Sequence, residues 1–355
     1  MRLLILLSLL ISSITLNQVI PISPDIKLIE LYRVEIEDGI SINGLAFSSS
    51  NQSLAIMLGE STIRDNKVVF LDIENKAQIA QIQIDSQATA IAYSSDGSLF
   101  VIGTSLGVVK IYDTSHYNEI QDFKVGGDVI NSLAISEDNK LLAVTFGNPM
   151  QGAERESIFT LIELETGDEI ISYPHEPDLY GAGVAFDPKT ANVFFAVNDV
   201  LNGEKSIWEI INYKEPTKII SEPALSFTYN LLAESGNIFS IIGKQVIKLV
   251  FDSESETYTP DLDFDVFEGD ITGFALHPSL SFMAIAYRIR TLTPEGIPTS
   301  NGSGAICLYD FGQQMTCLDI PESAITTLAF SPDGTLLASG GADGTVRLWG
   351  IPAGE

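Results

Sequence analysis

Positive charge is scarce in this chain. Across 355 residues, 19 lysines and arginines stand against 47 acidic side chains, a formal net charge of −28. Phosphate binding needs a clustered basic surface, so neither nucleic acid nor an anionic membrane is an expected partner. Cysteine is nearly absent. Two thiols exclude a disulfide scaffold and a four-thiolate zinc site. The three histidines, His116, His175 and His277, share no metal-ligand spacing. Charged residues are only 19% and hydrophobic ones 45%, too apolar for a disordered chain.

The N-terminus reads as a targeting segment. Arg2 precedes an apolar run, Leu3 to Leu10, which continues to Leu16 interrupted by serines. That is shorter than the ~20 residues of a membrane span and fits a secretory signal. Residues 1–23 are assigned to the signal, either cleaved or retained as an anchor. The expected destination is outside the cytoplasm: secreted, periplasmic or cell-surface.

The remainder repeats. Its clearest unit runs Leu328-Ala329-Phe330-Ser331-Pro332-Asp333-Gly334, then Leu336 to Gly340, then Ala342-Asp343-Gly344 and Val346-Arg347-Leu348-Trp349. Short apolar stretches bounded by Asp-Gly pairs read as strand, turn, strand, turn, strand. The frame recurs from Leu45, Ile91, Leu133, Val184, Asn230 and Phe274 at spacings of 42 to 54 residues. Seven units of that length suit four-stranded propeller blades. The last repeat ends too close to the C-terminus for a fourth strand. An orphan strand lies at Lys27 to Ile36. The expected fold is therefore all-β, a seven-bladed propeller over residues 27–352, with the N-terminal strand completing the last blade.

The pattern resembles the WD40 repeat family. The resemblance is strongest in the last repeat, where Ser339, Asp343 and Trp349 match three members of the family's polar tetrad. The tetrad histidine is missing throughout, with Pro321 near its place, and Trp-Asp is replaced by Trp349-Gly350. The resemblance implies a non-catalytic interaction platform that binds a protein or peptide. It also implies that second-to-third-strand loops share a partner-binding face with the blade connections. Four such loops are long: 59–67, 146–157, 198–205 and 290–304. Arg64, Arg155, Arg288 and Arg290 lie in or beside them. Guanidinium groups suit carboxylates, so these four are candidate partner-binding residues. The competing reading is local pairing with Asp65, Glu154, Glu156 and Glu295.

Other chemistry is sparse. Gly103-Thr104-Ser105-Leu106-Gly107 matches a nucleophile-elbow pattern but falls at a β-to-β turn instead of a strand-to-helix turn. Asp261, Asp263 and Asp265 alternate along an outer strand, which suits either calcium or a charged edge that discourages pairing. Cys307 and Cys317 fall opposite each other if their hairpin centres on Gly312. They are expected as either a bridge, which export favours, or two reduced core thiols. No catalytic set, cofactor or metal is assigned. The alternatives are a propeller enzyme of lactonase or dehydrogenase type and a calcium or small-ligand binder.

Overall fold

The computed structural model describes residues 28–36, 39–59, 66–126, 128–147, 157–174, 179–187, 190–199, 201–212, 214, 216–223, 231–234, 237–242, 245–252, 257–261, 270–279, 282–288, 303–310 and 313–351. The expected signal segment lies outside them. Every regular element among the described residues is a β-strand. None of them forms a helix long and apolar enough to cross a membrane.

Seven four-stranded antiparallel sheets follow one another around a ring. Six are consecutive in sequence, spanning 42–83, 88–124, 130–174, 179–223, 231–261 and 270–320. The seventh combines Ile325–Phe330, Leu336–Gly341 and Thr345–Gly350 with the N-terminal strand Ile29–Glu35. That strand runs antiparallel to Thr345–Gly350, with Arg33 opposite Arg347 and Val34 opposite Val346. The first strand of each blade lines the central channel, because successive first strands contact one another.

The core explains why the middle strands are apolar throughout rather than alternating. A blade is covered on both faces, so both sets of side chains are buried. Seven hydrophobic clusters result, one in each seam between neighbouring blades. The closing seam joins Ala338, Val346 and Leu348 of blade seven to Ile42, Leu54 and Val69 of blade one.

The Ser-x-Asp-Gly motif makes the first-to-second-strand turns. Ser331 donates to Asp333 Oδ1 at 2.6 Å and accepts the Leu336 N–H at 2.9 Å. Asp333 also accepts the Thr335 N–H at 3.0 Å, and Gly334 takes φ of 73°, where glycine avoids the Cβ penalty. Ser94, Asp96 and Gly97 repeat this arrangement in blade two. There the Ser98 N–H and the Ser94 and Ser98 hydroxyls hold the Asp96 carboxyl below its ordinary value. In blade three Asn139 occupies the glycine position at φ 58°.

The fifth blade departs from the sequence frame. Its first strand is only Leu231–Glu234, and Leu231 pairs with Ser240 as Leu328 pairs with Ser339. The anchor position is therefore Leu231, one residue beyond the expected Asn230. Spacing alone could not locate it, because no Ser-x-Asp-Gly turn marks this blade.

Candidate functional site: the loop face and channel mouth

A β-bulge recurs at one level in six inner strands. The register shifts between Ile42 and Gly44, Ala88 and Ala90, Ile130 and Ser132, Gly181 and Val184, Ile271 and Gly273, and Ile325 and Thr327. In five of them the extra residue is polar: Asn43, Thr89, Asn131, Thr272 or Thr326. A bulge leaves one residue unpaired in the ladder, and here the side chain bonds back to the sheet. Thr89 Oγ1 donates to the Gly103 carbonyl at 3.1 Å, Thr272 Oγ1 to Ala286 at 3.3 Å, and Thr326 Oγ1 to Gly340 at 2.9 Å. Asn131 Nδ2 donates at 2.7 Å to both Gly147 and Gly181, joining blades three and four. The repeat frame starts two residues later, so sequence reading passed over these positions. A polar residue two before each apolar anchor was the available signal.

These bulges surround a cavity of about 590 Å³ at the channel mouth. It opens at the end where first strands begin, on the face of the blade connections and second-to-third-strand turns. Leu45, Ile91, Leu133, Phe274 and Leu328 contribute to its lining together with the bulge residues. No acidic, basic or histidine side chain is among its described lining residues.

The same face carries two exposed apolar turn tips, Leu106 and Leu201, 60% and 75% accessible. Leu106 belongs to the Gly103–Gly107 segment, which is a turn between the strands Leu99–Thr104 and Val108–Asp113. Gly107 there has φ of 71°, and no helix follows, so the serine pattern is a hairpin.

Of the four candidate arginines, Arg288 alone lies among the described residues; Arg64, Arg155 and Arg290 lie outside them. Arg288 ends the strand Met283–Arg288 at the loop-face side, opposite Asp270 and Gly304. Its Nε is buried and has no hydrogen-bond partner. The other two described arginines have carboxylate partners. In blade four, burial pushes Lys205 down to about 8. Lys205 stands opposite Asn198, whose buried Nδ2 also has no hydrogen-bond partner.

Cys307 and Cys317 are direct partners in the antiparallel register and are disulfide-bonded, with Cα atoms 4.1 Å apart. His116 is exposed on a third-to-fourth-strand turn beside Asp113. His277 lies on a first-to-second-strand turn, packed on Phe282. His175 lies outside the described residues, as do Asp263 and Asp265. Among the described residues no group of three His, Cys, Asp or Glu could hold a metal ion.

Trp349 Nε1 donates to Ser339 Oγ at 2.9 Å, preserving one link of the polar tetrad. Asp343 approaches Arg347 at 3.6 Å and accepts the Thr345 N–H at 3.1 Å. The family model for the WD domain, G-beta repeat, matches residues 312–350. This is a WD40-repeat propeller. The matched span begins on the outer strand of blade six and ends on the third strand of blade seven, so the WD40 sequence repeat straddles two blades.

No curated protein sequence matches the chain. Among solved structures, the β-propeller domain of Cps50 (Swd1) from Myceliophteria thermophila is similar at 12% identity and a TM-score of 0.67. That match covers 92% of this chain and 100% of the other. Hydrazine synthase from Kuenenia stuttgartiensis is similar at 15% identity and a TM-score of 0.67, covering 92% of this chain and 99% of that one. Identities this low show a shared fold. One neighbour is an enzyme, so the likeness does not separate platform from catalyst.

Proposed function

We propose that this WD40 propeller is an exported, non-catalytic platform that binds a protein or peptide segment on its loop face. The observation that carries the reading is Arg288. It stands at that face with a buried Nε lacking a hydrogen-bond partner, in a chain with a large excess of carboxylates. A guanidinium at that face suits a carboxylate, and a partner that moved the cover over Nε would supply the hydrogen bond that it lacks. The exposed tips Leu106 and Leu201 supply apolar contact area on the same face.

The lining of the channel mouth supports binding over acid–base chemistry, since it offers no acid, base or histidine among the described residues. Export is supported by the apolar segment after Arg2 and by the Cys307–Cys317 bond, because disulfides persist in oxidising compartments. The charge balance disfavours nucleic acid.

The test is cross-linking capture from the native envelope or secreted fraction, comparing the natural chain with Arg288→Glu and with a chain lacking residues 291–303. A specific protein retained by the natural chain and lost from Arg288→Glu is the expected result. Equal capture by both would remove Arg288 from the reading, and capture of no protein would remove the platform itself.

A further inference from the structure

The outer strand of each blade stands at the edge of its sheet among the described residues. Such an edge is a template for another strand, and native edges are guarded by charge, proline or a bulge. Six of the seven outer strands carry charge, with Glu30, Asp122, Glu169, Lys218, Asp261 and Asp319 as one example from each. Three of the six also hold a proline, Pro174, Pro223 or Pro260. The outer strand of blade one has neither. Ala77–Gln83 reads Ala-Gln-Ile-Ala-Gln-Ile-Gln, uncharged throughout in a chain of net charge −28.

This edge keeps only a bulge. The register with the third strand shifts so that Leu71 faces Gln78 and Phe70 faces Ala80, which leaves Ile79 as the extra residue, 51% accessible. Blades two and three have the same bulge at Ile120 and Ile170, and add charge to it. Beyond the bulge, Ala80 to Gln83 pair regularly on their inner side. Ala80 and Ile82 pack into the seam with blade two, whereas Gln81 and Gln83 are exposed. Blade seven adjoins this strand, since Tyr32 donates to the Lys76 carbonyl at 3.0 Å. Its exposed Ile29 and Leu31 add apolar area beside Ile79.

Charge decides what this edge accepts. Two copies at −28 each repel, and they approach at least cost where no carboxylate faces another. Within residues 77–83, every antiparallel register of this strand with itself is free of charge, and glutamines can bond to one another across it. A charged segment would gain no ion pair here, so the edge favours a strand as neutral as itself.

We propose that Ala77–Gln83 is a self-association edge, at which two copies join blade one to blade one in a continuous antiparallel sheet. Such pairing is isologous and closes at two copies. One short strand buries less than the ~1,200 Å² of a stable interface, so the dimer is weak and forms with concentration. The edge lies on the circumference of the ring, so the pairing does not depend on the loop-face reading.

The test is sedimentation equilibrium of the whole protein from about 5 to about 500 µM, which brackets a Kd of roughly 100 µM, as small interfaces give. Raising salt from about 0.05 to about 0.5 M should tighten the dimer, because it screens the repulsion. Gln81→Glu should weaken association roughly fivefold or more, because like charges then face each other across the new ladder. Lys124→Gln, exposed on the outer strand of blade two, makes the same change in net charge and should leave association within about twofold. Amide hydrogen exchange within residues 77–83 should slow as concentration rises. A monomer at every concentration, a dimer without slowed exchange at 77–83, or equal weakening by both variants would overturn the self-association edge. Slowed exchange there only in a complex with another protein, the chain itself staying monomeric, would give the edge to that partner and overturn self-pairing.

Discussion

Arg33 and Arg347 lie directly opposite each other across the strand pair that closes the ring, and Glu322 binds both, at 3.0 and 3.2 Å. Two like charges facing across a ladder would repel. A shared carboxylate reverses that, and it fastens the N-terminal strand to the last blade. The two arginines differ in burial: Arg347 is 1% exposed, whereas Arg33 is 43% exposed. Arg347 retains two buried nitrogens, Nε and Nη1, without hydrogen-bond partners, and Glu322 and Asp343 are the carboxylates that balance its charge.

Replacing Glu322 should therefore cost more than replacing Arg33. Glu322→Gln is expected to destabilise by roughly 1–3 kcal/mol, because a buried guanidinium loses its main partner. Arg33→Gln should cost under about 1 kcal/mol, as exposed pairs do. Urea unfolding of both variants checks the order. Equal losses would mean that closure does not run through Glu322.

The Cys307–Cys317 bridge closes a segment with a sequence separation of 10. Removing loop entropy from the unfolded chain at that length contributes roughly 2–3 kcal/mol. The double variant Cys307→Ala, Cys317→Ala should unfold at correspondingly lower denaturant. Unreduced protein under denaturing conditions should take up no alkylating agent by mass, and reduced protein two equivalents. Uptake of two before reduction would show free thiols.

His277 makes stability depend on pH. The Ser279 N–H donates to Nδ1 at 3.2 Å, and Nε2 lies 2.9 Å from the Gly334 carbonyl of the next blade. The ring stacks on Phe282 at 4.3 Å. Burial lowers its pKa below the ordinary 6.5, partly opposed by the Gly334 carbonyl. The unfolded chain therefore takes up this proton first on acidification. The histidine's contribution is present above about pH 6.5 and falls as the pH drops through that value towards the folded-state pKa. Stability measured from pH 7.5 to 5 should decline less steeply in His277→Gln than in the natural chain. Identical slopes would count against it.

Asn131 bonds two carbonyls on different blades, Gly147 and Gly181. Asn131→Ala should cost roughly 1–3 kcal/mol, since both carbonyls lose a donor. Thr272→Val removes a single, longer bond and should cost less, at about 1 kcal/mol. Thermal unfolding of the two variants gives the comparison.

Much of the architecture was legible from local chemistry. Asp333-Gly334 and Asp96-Gly97 announce turns because a carboxylate beside a glycine satisfies turn backbone at positive φ. Apolar stretches between such turns must be strands buried on both sides, and their period counts the blades. The pairing of Cys307 with Cys317 was legible for the same reason, since a hairpin's centre sets which residues face each other. Blade five resisted this reading because it lacks the turn signature, and its anchor was displaced by one residue.

The site was less legible. Sequence shows that arginines fall near long loops, but a guanidinium's partners depend on chain segments far apart in sequence. Tertiary structure decided that Glu322 serves Arg33 and Arg347, 314 residues apart, and that Arg288 keeps a buried Nε without a hydrogen-bond partner. It also decided the channel mouth. Each bulge looks unremarkable within its own repeat, and only closing the ring brings the polar residues of five blades to one level around a shared cavity.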